Sequence, residues 1–207
     1  DADEIVDASP LVLAATAMVN GSPEFYNLPR KYKVSITGCR AWCSYPEIND
    51  LGLTAVRDGY TGHVGYSLRV GGGLSTQPHL APRLNAFVRP DQVLAVVKGV
   101  SEIFRDSDVL RRNREKARLK FLFLDHGWTP ERFLNALEAR LGFSLDPAIP
   151  ETLPEEAYRD HVGIHPQKQA GLVYAGLPIL RGRLTPDEMR GLAELAERFG
   201  TGELRTT

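Results

Sequence analysis

Only two of the 207 residues are cysteine. A chain so poor in thiols suits a reducing compartment, where a thiol pair serves metal or redox chemistry more often than it staples a fold. No apolar run approaches the roughly 20 residues that a membrane helix requires. The first residues, DADEIVD, are acidic where a secretory signal is basic. An excess of one charge is missing too: 25 Lys and Arg stand against 26 Asp and Glu, a formal net charge of −1. That balance argues against a general polyanion binder and confines any cationic site to a local cluster. Low-complexity tracts and internal repeats are absent. The expectation is a cytoplasmic protein with neither a membrane nor a nucleic-acid partner. With no initiator Met, and ends on Asp1 and Arg205-Thr206-Thr207, the chain also reads as an internal piece of something longer.

What is present is an ordinary globular composition. Apolar residues make up 43% of the chain, enough to bury a core in one large domain or in one domain plus part of another. Ser9-Pro10 opens a short apolar helix that runs from Leu11 to Val19, with Gly21 behind it. From Lys31 the pattern alternates, Tyr32, Val34 and Ile36 on one side and Lys31, Lys33, Ser35 and Thr37 on the other, as in a half-buried strand. Leu51 to Val56 and Tyr66 to Val70 read as further strands. Helical spacing takes over after Pro90: Val93, Val96, Val97, Val100, Ile103 and Phe104 form one stripe. A second helix is expected from Arg111 to Asp125 and a third from Thr129-Pro130. Residues 146–160 are proline-rich and acidic, a linker by composition. Beyond them Leu172 to Ala175 reads as a strand, Thr185-Pro186 opens an amphipathic helix, and Glu203 to Thr206 reads as the start of another strand.

Several clusters offer chemistry. Lys31 and Lys33 share one strand face with Arg30 beside them. Such a pair either lies in solvent, guarding an exposed edge, or meets a small oxyanion. Cys39 and Cys43 have a spacing that iron–sulfur clusters use, but a cluster usually takes four thiolates, so a half-site or structural cysteines are the local reading. Gly71-Gly72-Gly73 lacks the spacing of a nucleotide fingerprint and reads as a turn. The basic run from Arg111 to Lys120 has no interleaved aromatic platform and reads as a solvated face rather than a nucleic-acid contact. His161 and His165 are separated by Gly163 and followed by Pro166, which spoils a helical pair of ligands; no metal is assigned to them.

Taken in order along the chain, Asn27-Leu28-Pro29-Arg30-Lys31-Tyr32-Lys33, Glu47-Ile48-Asn49-Asp50-Leu51-Gly52, Val70-Gly71-Gly72-Gly73, Phe104-Arg105-Asp106, Asn113-Arg114 with Arg118, His165-Pro166-Gln167-Lys168-Gln169 and Gly202-Glu203-Leu204-Arg205 resemble the siroheme-dependent nitrite and sulfite reductases. The resemblance implies an α/β (α+β) hemoprotein half-domain with a mixed sheet and packed helices over residues 1–145. After the linker it implies a partial ferredoxin-like α/β half-domain over residues 161–207. It implies a siroheme coupled to a [4Fe–4S] cluster, and six-electron reduction of sulfite to sulfide or nitrite to ammonia. The partners it implies are an electron donor such as ferredoxin and the remaining half-domains of the same enzyme.

By the same resemblance Lys31 and Lys33 grip the substrate anion on the distal face of the siroheme, where cations also stabilise developing charge. Nitrite-specific relatives tend to carry asparagine at the position of Lys33, so the double lysine tips the expectation toward sulfite. Arg30, Gln167, Lys168 and Gln169 are the expected siroheme contacts. Cys39 and Cys43 resemble the second cysteine pair of a cluster motif whose first pair is missing upstream, an echo left by duplication, with the working cluster ligands outside this chain. The fragment alone is therefore expected to be inactive. Alternatives on the same residues are a precorrin-oxidising relative and a non-catalytic tetrapyrrole-binding or interaction module.

Overall fold

In the computed structural model the described residues are 4–39, 44–151 and 161–206. The chain divides into two compact units, Asp1–Arg159 and Asp160–Thr207. The first is organised around a four-stranded mixed sheet in the order β1 (Val34–Thr37), β2 (Leu51–Arg57), β3 (Val64–Val70) and β4 (Arg83–Val88). β1 runs parallel to β2, and the other pairings are antiparallel. The expected alternation at Lys31 materialises in part: the ladder begins only at Val34, and Tyr32 and Ile36 turn to the core while Val34 is 37% exposed on the sheet edge.

Strand periodicity gives the sheet two unlike faces. Leu51, Leu53 and Ala55 of β2, Tyr66, Leu68 and Val70 of β3 and Leu84, Ala86 and Val88 of β4 join one apolar cluster. α2 (Val93–Arg105) buries its expected stripe of Val93, Val96, Val97, Val100, Ile103 and Phe104 in that cluster. α4 (Pro130–Leu141) adds Phe133 and Leu137, and Gly99 keeps α2 close enough that a Cβ there would stand 2.8 Å from Leu137. Each such buried aliphatic or aromatic side chain is worth about 1.5–3 kcal/mol. On the other face the register aligns Ser35 with Gly52 and Arg69, and Thr37 with Thr54 and Ser67, so this side is polar and also buried.

The helix signals at Ser9-Pro10 and Thr129-Pro130 held, although Ser9 is the first helical residue of α1 rather than a capping residue. α1 covers Ser9–Val19, and in α4 the Thr129 hydroxyl accepts from the Arg132 N–H before Gly142 closes the helix at φ 75°. The expected helix from Arg111 to Asp125 does not form. Short 3₁₀ turns at Asp108–Arg111 and Arg114–Lys116 precede α3 (Phe121–Asp125). The reason lies in the side chains. Arg111, Arg118 and Lys120 each reach a different distant acceptor, the Asn27 carbonyl, the buried Asp50 carboxylate and the carbonyls of residues 73–77, and a regular helix would fan them apart. The glycine triplet is a turn packed on residues 47–50: Gly71 and Gly72 donate to the carbonyls of Asp50 and Asn49. A Cβ on Gly72 would stand 2.1 Å from the Glu47 carbonyl oxygen.

Residues 146–151, within the stretch read as a linker, are docked on the sheet. The Phe87 N–H donates to the Asp146 carbonyl, Arg83 donates to the Ile149 carbonyl, and Glu151 reaches the polar face. The second unit holds the hairpin of β5 (Gly163–Pro166) and β6 (Val173–Gly176) and the helix α5 (Pro186–Phe199), whose Thr185 and Glu188 form a reciprocal capping box. Glu203 to Thr206, expected to begin a strand, forms no strand among the described residues. No helix of the described residues is long and apolar enough to cross a membrane.

Candidate anion and cofactor site

The segment carrying Arg30, Lys31 and Lys33 is held at both ends by packing. Tyr32 stacks on Phe104 with ring centroids 5.3 Å apart, and the Ser101 hydroxyl donates to its phenolic oxygen at 3.4 Å. Burial pushes the Tyr32 phenol well above its ordinary pKa. With Tyr32 pinned inward, the residues on either side of it face away from the core. Lys31 is exposed and Lys33 half-buried, and neither ammonium has an ion-pair partner among the described residues.

Lys33 is the better anchored of the two. Its backbone N–H donates to the Asp50 Oδ2 at 2.8 Å, and its carbonyl accepts from the Leu51 N–H at 3.1 Å. Asp50 is fully buried and takes a two-pronged contact from Arg118, Nε to Oδ1 at 3.1 Å and Nη2 to Oδ2 at 2.8 Å. Burial raises the Asp50 carboxyl's pKa, and the Arg118 contacts oppose it. Neighbouring Lys120 is buried and donates to the carbonyls of Gly73, Leu74 and Gln77; burial lowers its pKa.

Arg30 and Lys31 also line an open groove of about 570 Å³ together with Asn27, Arg111 and Arg114. No acidic side chain lines it. Arg111 is fixed there by donating to the Asn27 carbonyl at 2.6 Å and to the Arg105 carbonyl at 2.8 Å. The groove thus joins Arg30 and Lys31 to part of the basic run that reads locally as solvated. A groove walled by three arginines and a lysine is chemically matched to a ligand carrying carboxylates.

Gln167, Lys168 and Gln169 occupy the loop of the β5–β6 hairpin in the second unit. Gln167 closes that loop, its backbone N–H donating to Leu172 and its side-chain amide to Val173, while Lys168 is exposed. Cys39 is buried in an isolated bridge with Glu4, and Cys43 lies outside the described residues. No group of three or more His, Cys, Asp or Glu among the described residues is arranged to hold a metal. His161 and His165 instead flank the Tyr174 ring.

Asp50, Arg118 and Arg111 carry no functional label from local pattern. Asp50 and Arg118 fall inside the family-like segments, yet the contact between them spans 68 residues; only the recurrence of both in the ordered motif set hints at it.

Comparison with known proteins bears on the same segments. The family profile described as nitrite and sulphite reductase 4Fe-4S domain matches residues 1–145, and the one described as nitrite/sulfite reductase ferredoxin-like half domain matches residues 165–207. The chain is 41% identical to the ferredoxin–nitrite reductase of Synechococcus elongatus, aligned over the whole chain and 40% of that protein. It is 40% identical to the chloroplastic ferredoxin–nitrite reductase of Zea mays, over the whole chain and 37% of that protein. The solved structure of the Mycobacterium tuberculosis NirA protein superposes on 97% of the chain with a TM-score of 0.86 and 37% identity, covering 35% of that structure. The chain therefore spans well under half the length of these relatives.

Proposed function

Since the chain belongs to the nitrite and sulphite reductase family, we propose that within a longer enzyme its first unit forms the cationic wall against which nitrite or sulfite is bound and reduced by six electrons. The observation that carries this reading is the pair Lys31 and Lys33, set on one short segment, anchored through Tyr32 and Asp50 and making no side-chain ion pair among the described residues. Uncompensated cations held in place suit an arriving oxyanion and the charge that develops on it during reduction.

The family implies a siroheme and a [4Fe–4S] cluster, which when bound would relay the donor's electrons to the anion. The siroheme fits the residues present: its carboxylates match the groove of Arg30, Lys31, Arg111 and Arg114. Arg30 is the first candidate contact, and Gln167, Lys168 and Gln169 are candidates from the second unit. The cluster does not fit this chain alone, because four thiolates are usual and two cysteines are present; Cys39 and Cys43 are then remnants of a cluster motif. Residues 1–145 act as the hemoprotein half-domain, 146–160 as the connection and 161–207 as part of a ferredoxin-like half-domain. The relatives' names make ferredoxin the electron donor of choice.

Between the two anions the supports diverge. The named relatives are nitrite reductases, which favours nitrite. Lys33 favours sulfite, since a second cation adds Coulomb attraction for an anion able to carry two charges. The test is steady-state turnover of the full-length enzyme with each anion under one electron donor, for the wild type and Lys33→Asn. A relative shift of kcat/KM toward nitrite on losing the lysine supports the assignment of Lys33; an unchanged ratio contradicts it.

A further inference from the structure

We infer that Asp50 is a positioning residue for the anion site, acting through the backbone of Lys33; this rests on the anion-binding role proposed for Lys33. The ladder between β1 and β2 starts with Val34 opposite Leu51. One residue earlier, at Lys33, only the carbonyl still joins the main-chain ladder, and the N–H donates instead to the Asp50 carboxylate. The Lys33 peptide is thereby gripped from both sides, its N–H by the Asp50 side chain and its carbonyl by the Leu51 N–H. The carboxylate cannot swing away, because Arg118 holds both of its oxygens and the Asp50 carbonyl accepts from the Gly71 N–H.

Electrostatics give this arrangement a second effect. Asp50 is fully buried, and its one negative charge lies between Arg118 and the Lys33 segment. Arg118 makes the direct ion pair with it, so the carboxylate fixes the Lys33 backbone while the ammonium, which feels that charge, makes no ion pair with it. An ion pair made by the Lys33 side chain itself would compete with substrate. A buried carboxylate that bonds the backbone instead gives rigidity without occupying the binding group.

A double-mutant cycle on the full-length, cofactor-loaded enzyme tests the inference, using Asp50→Asn, Lys33→Met and the pair, with KM and kcat measured for sulfite and for nitrite. Asp50→Asn is expected to raise the anion KM roughly fivefold to tenfold in the wild-type background, and by less than about twofold once Lys33 is already methionine. A residue needed only for general stability would act equally in both backgrounds, so an additive result overturns the inference. If Lys33→Met leaves the KM of both anions unchanged, the anion-binding reading itself fails, which is a distinct outcome. Arg118→Gln keeps the buried carboxylate but frees it to rotate, and serves the same cycle should Asp50→Asn not fold; coupling to Lys33 is expected there too, and additivity counts equally against the inference. Hydrogen exchange at the Lys33 amide supplies a readout apart from turnover: faster exchange in either variant is expected, and unchanged exchange contradicts the grip.

Discussion

Arg69 and Glu151, 82 residues apart in sequence, meet in a two-pronged ion pair on the polar side of the sheet, with both N–O distances at 2.7 Å and both side chains less than a tenth exposed. The Ser67 hydroxyl donates to the same carboxylate, and Arg83 stands 3.5 Å from it. Residues 146–151 are thereby fastened to β3 and β4. Removing one member of such a pair leaves a buried charge without its partner. Glu151→Ala is therefore expected to lower the unfolding free energy of the chain by about 3–5 kcal/mol, against a near-neutral effect when both partners are replaced by apolar residues. Chemical denaturation of the single and double variants checks this.

The same pair sets a pH dependence. Burial raises the Glu151 pKa, but the hydrogen bonds from Arg69 and Ser67 together with the charges of Arg69 and Arg83 outweigh it and hold the carboxyl below its ordinary value. A carboxyl depressed in the folded state adds stability above its unfolded pKa, and that contribution is lost as the pH falls toward the folded value. Urea midpoints measured at pH 7 and near pH 4, close to the reference value of about 4.3, are expected to fall further for the wild type than for Glu151→Gln. Equal falls would contradict it.

Gly72 lies where β3 leaves the sheet and passes over residues 47–49. A Cβ there meets backbone oxygens at 2.1 and 2.7 Å, and backbone cannot yield as a side chain does. Gly72→Ala is expected to displace the turn that supports Asp50 and to cost well over the roughly 1 kcal/mol of an average substitution. Gly59→Ala, with nothing within 4 Å of the added atom, is the matched control and is expected to stay close to the wild type in a thermal melt.

The Thr129 cap is a local device with a local effect. Thr129→Ala removes the acceptor for the Arg132 N–H and is expected to cost about 1 kcal/mol. Thr129→Asn is expected to recover most of it, as read from denaturation midpoints.

Local pattern was sufficient where the determinants are local. The apolar stripe of α2, the caps of α4 and α5, and the inward turn of Tyr32 all follow from spacing and cap residues a few positions apart. β4 and β5 are harder. Arg83-Leu84-Asn85-Ala86 does alternate, but Pro82 and the loop before it mask the start. Gly163 and Pro166 would break an isolated strand, and β5 exists because β6 pairs with it. The basic run failed as a helix because its side chains answer to distant groups: Lys120 to carbonyls 43–47 residues upstream and Arg118 to Asp50. In the candidate site the outward turn of Lys31 and Lys33 on either side of Tyr32 was legible from alternation, while the ordered family motifs supply the proposal that they meet the substrate. The Asp50 grip was not, because a carboxylate accepting from a backbone N–H 17 residues away leaves no periodic mark.

The most direct measurement is the KM for sulfite and nitrite of the full-length enzyme carrying Lys31→Met, with the siroheme absorption spectrum recorded on the same preparation. A rise in KM of roughly tenfold or more with the spectrum retained is the expected result, the size that follows from losing one charge-assisted contact. A KM within about twofold of the wild type for both anions, with the siroheme bound, would contradict the assignment of this lysine to the anion.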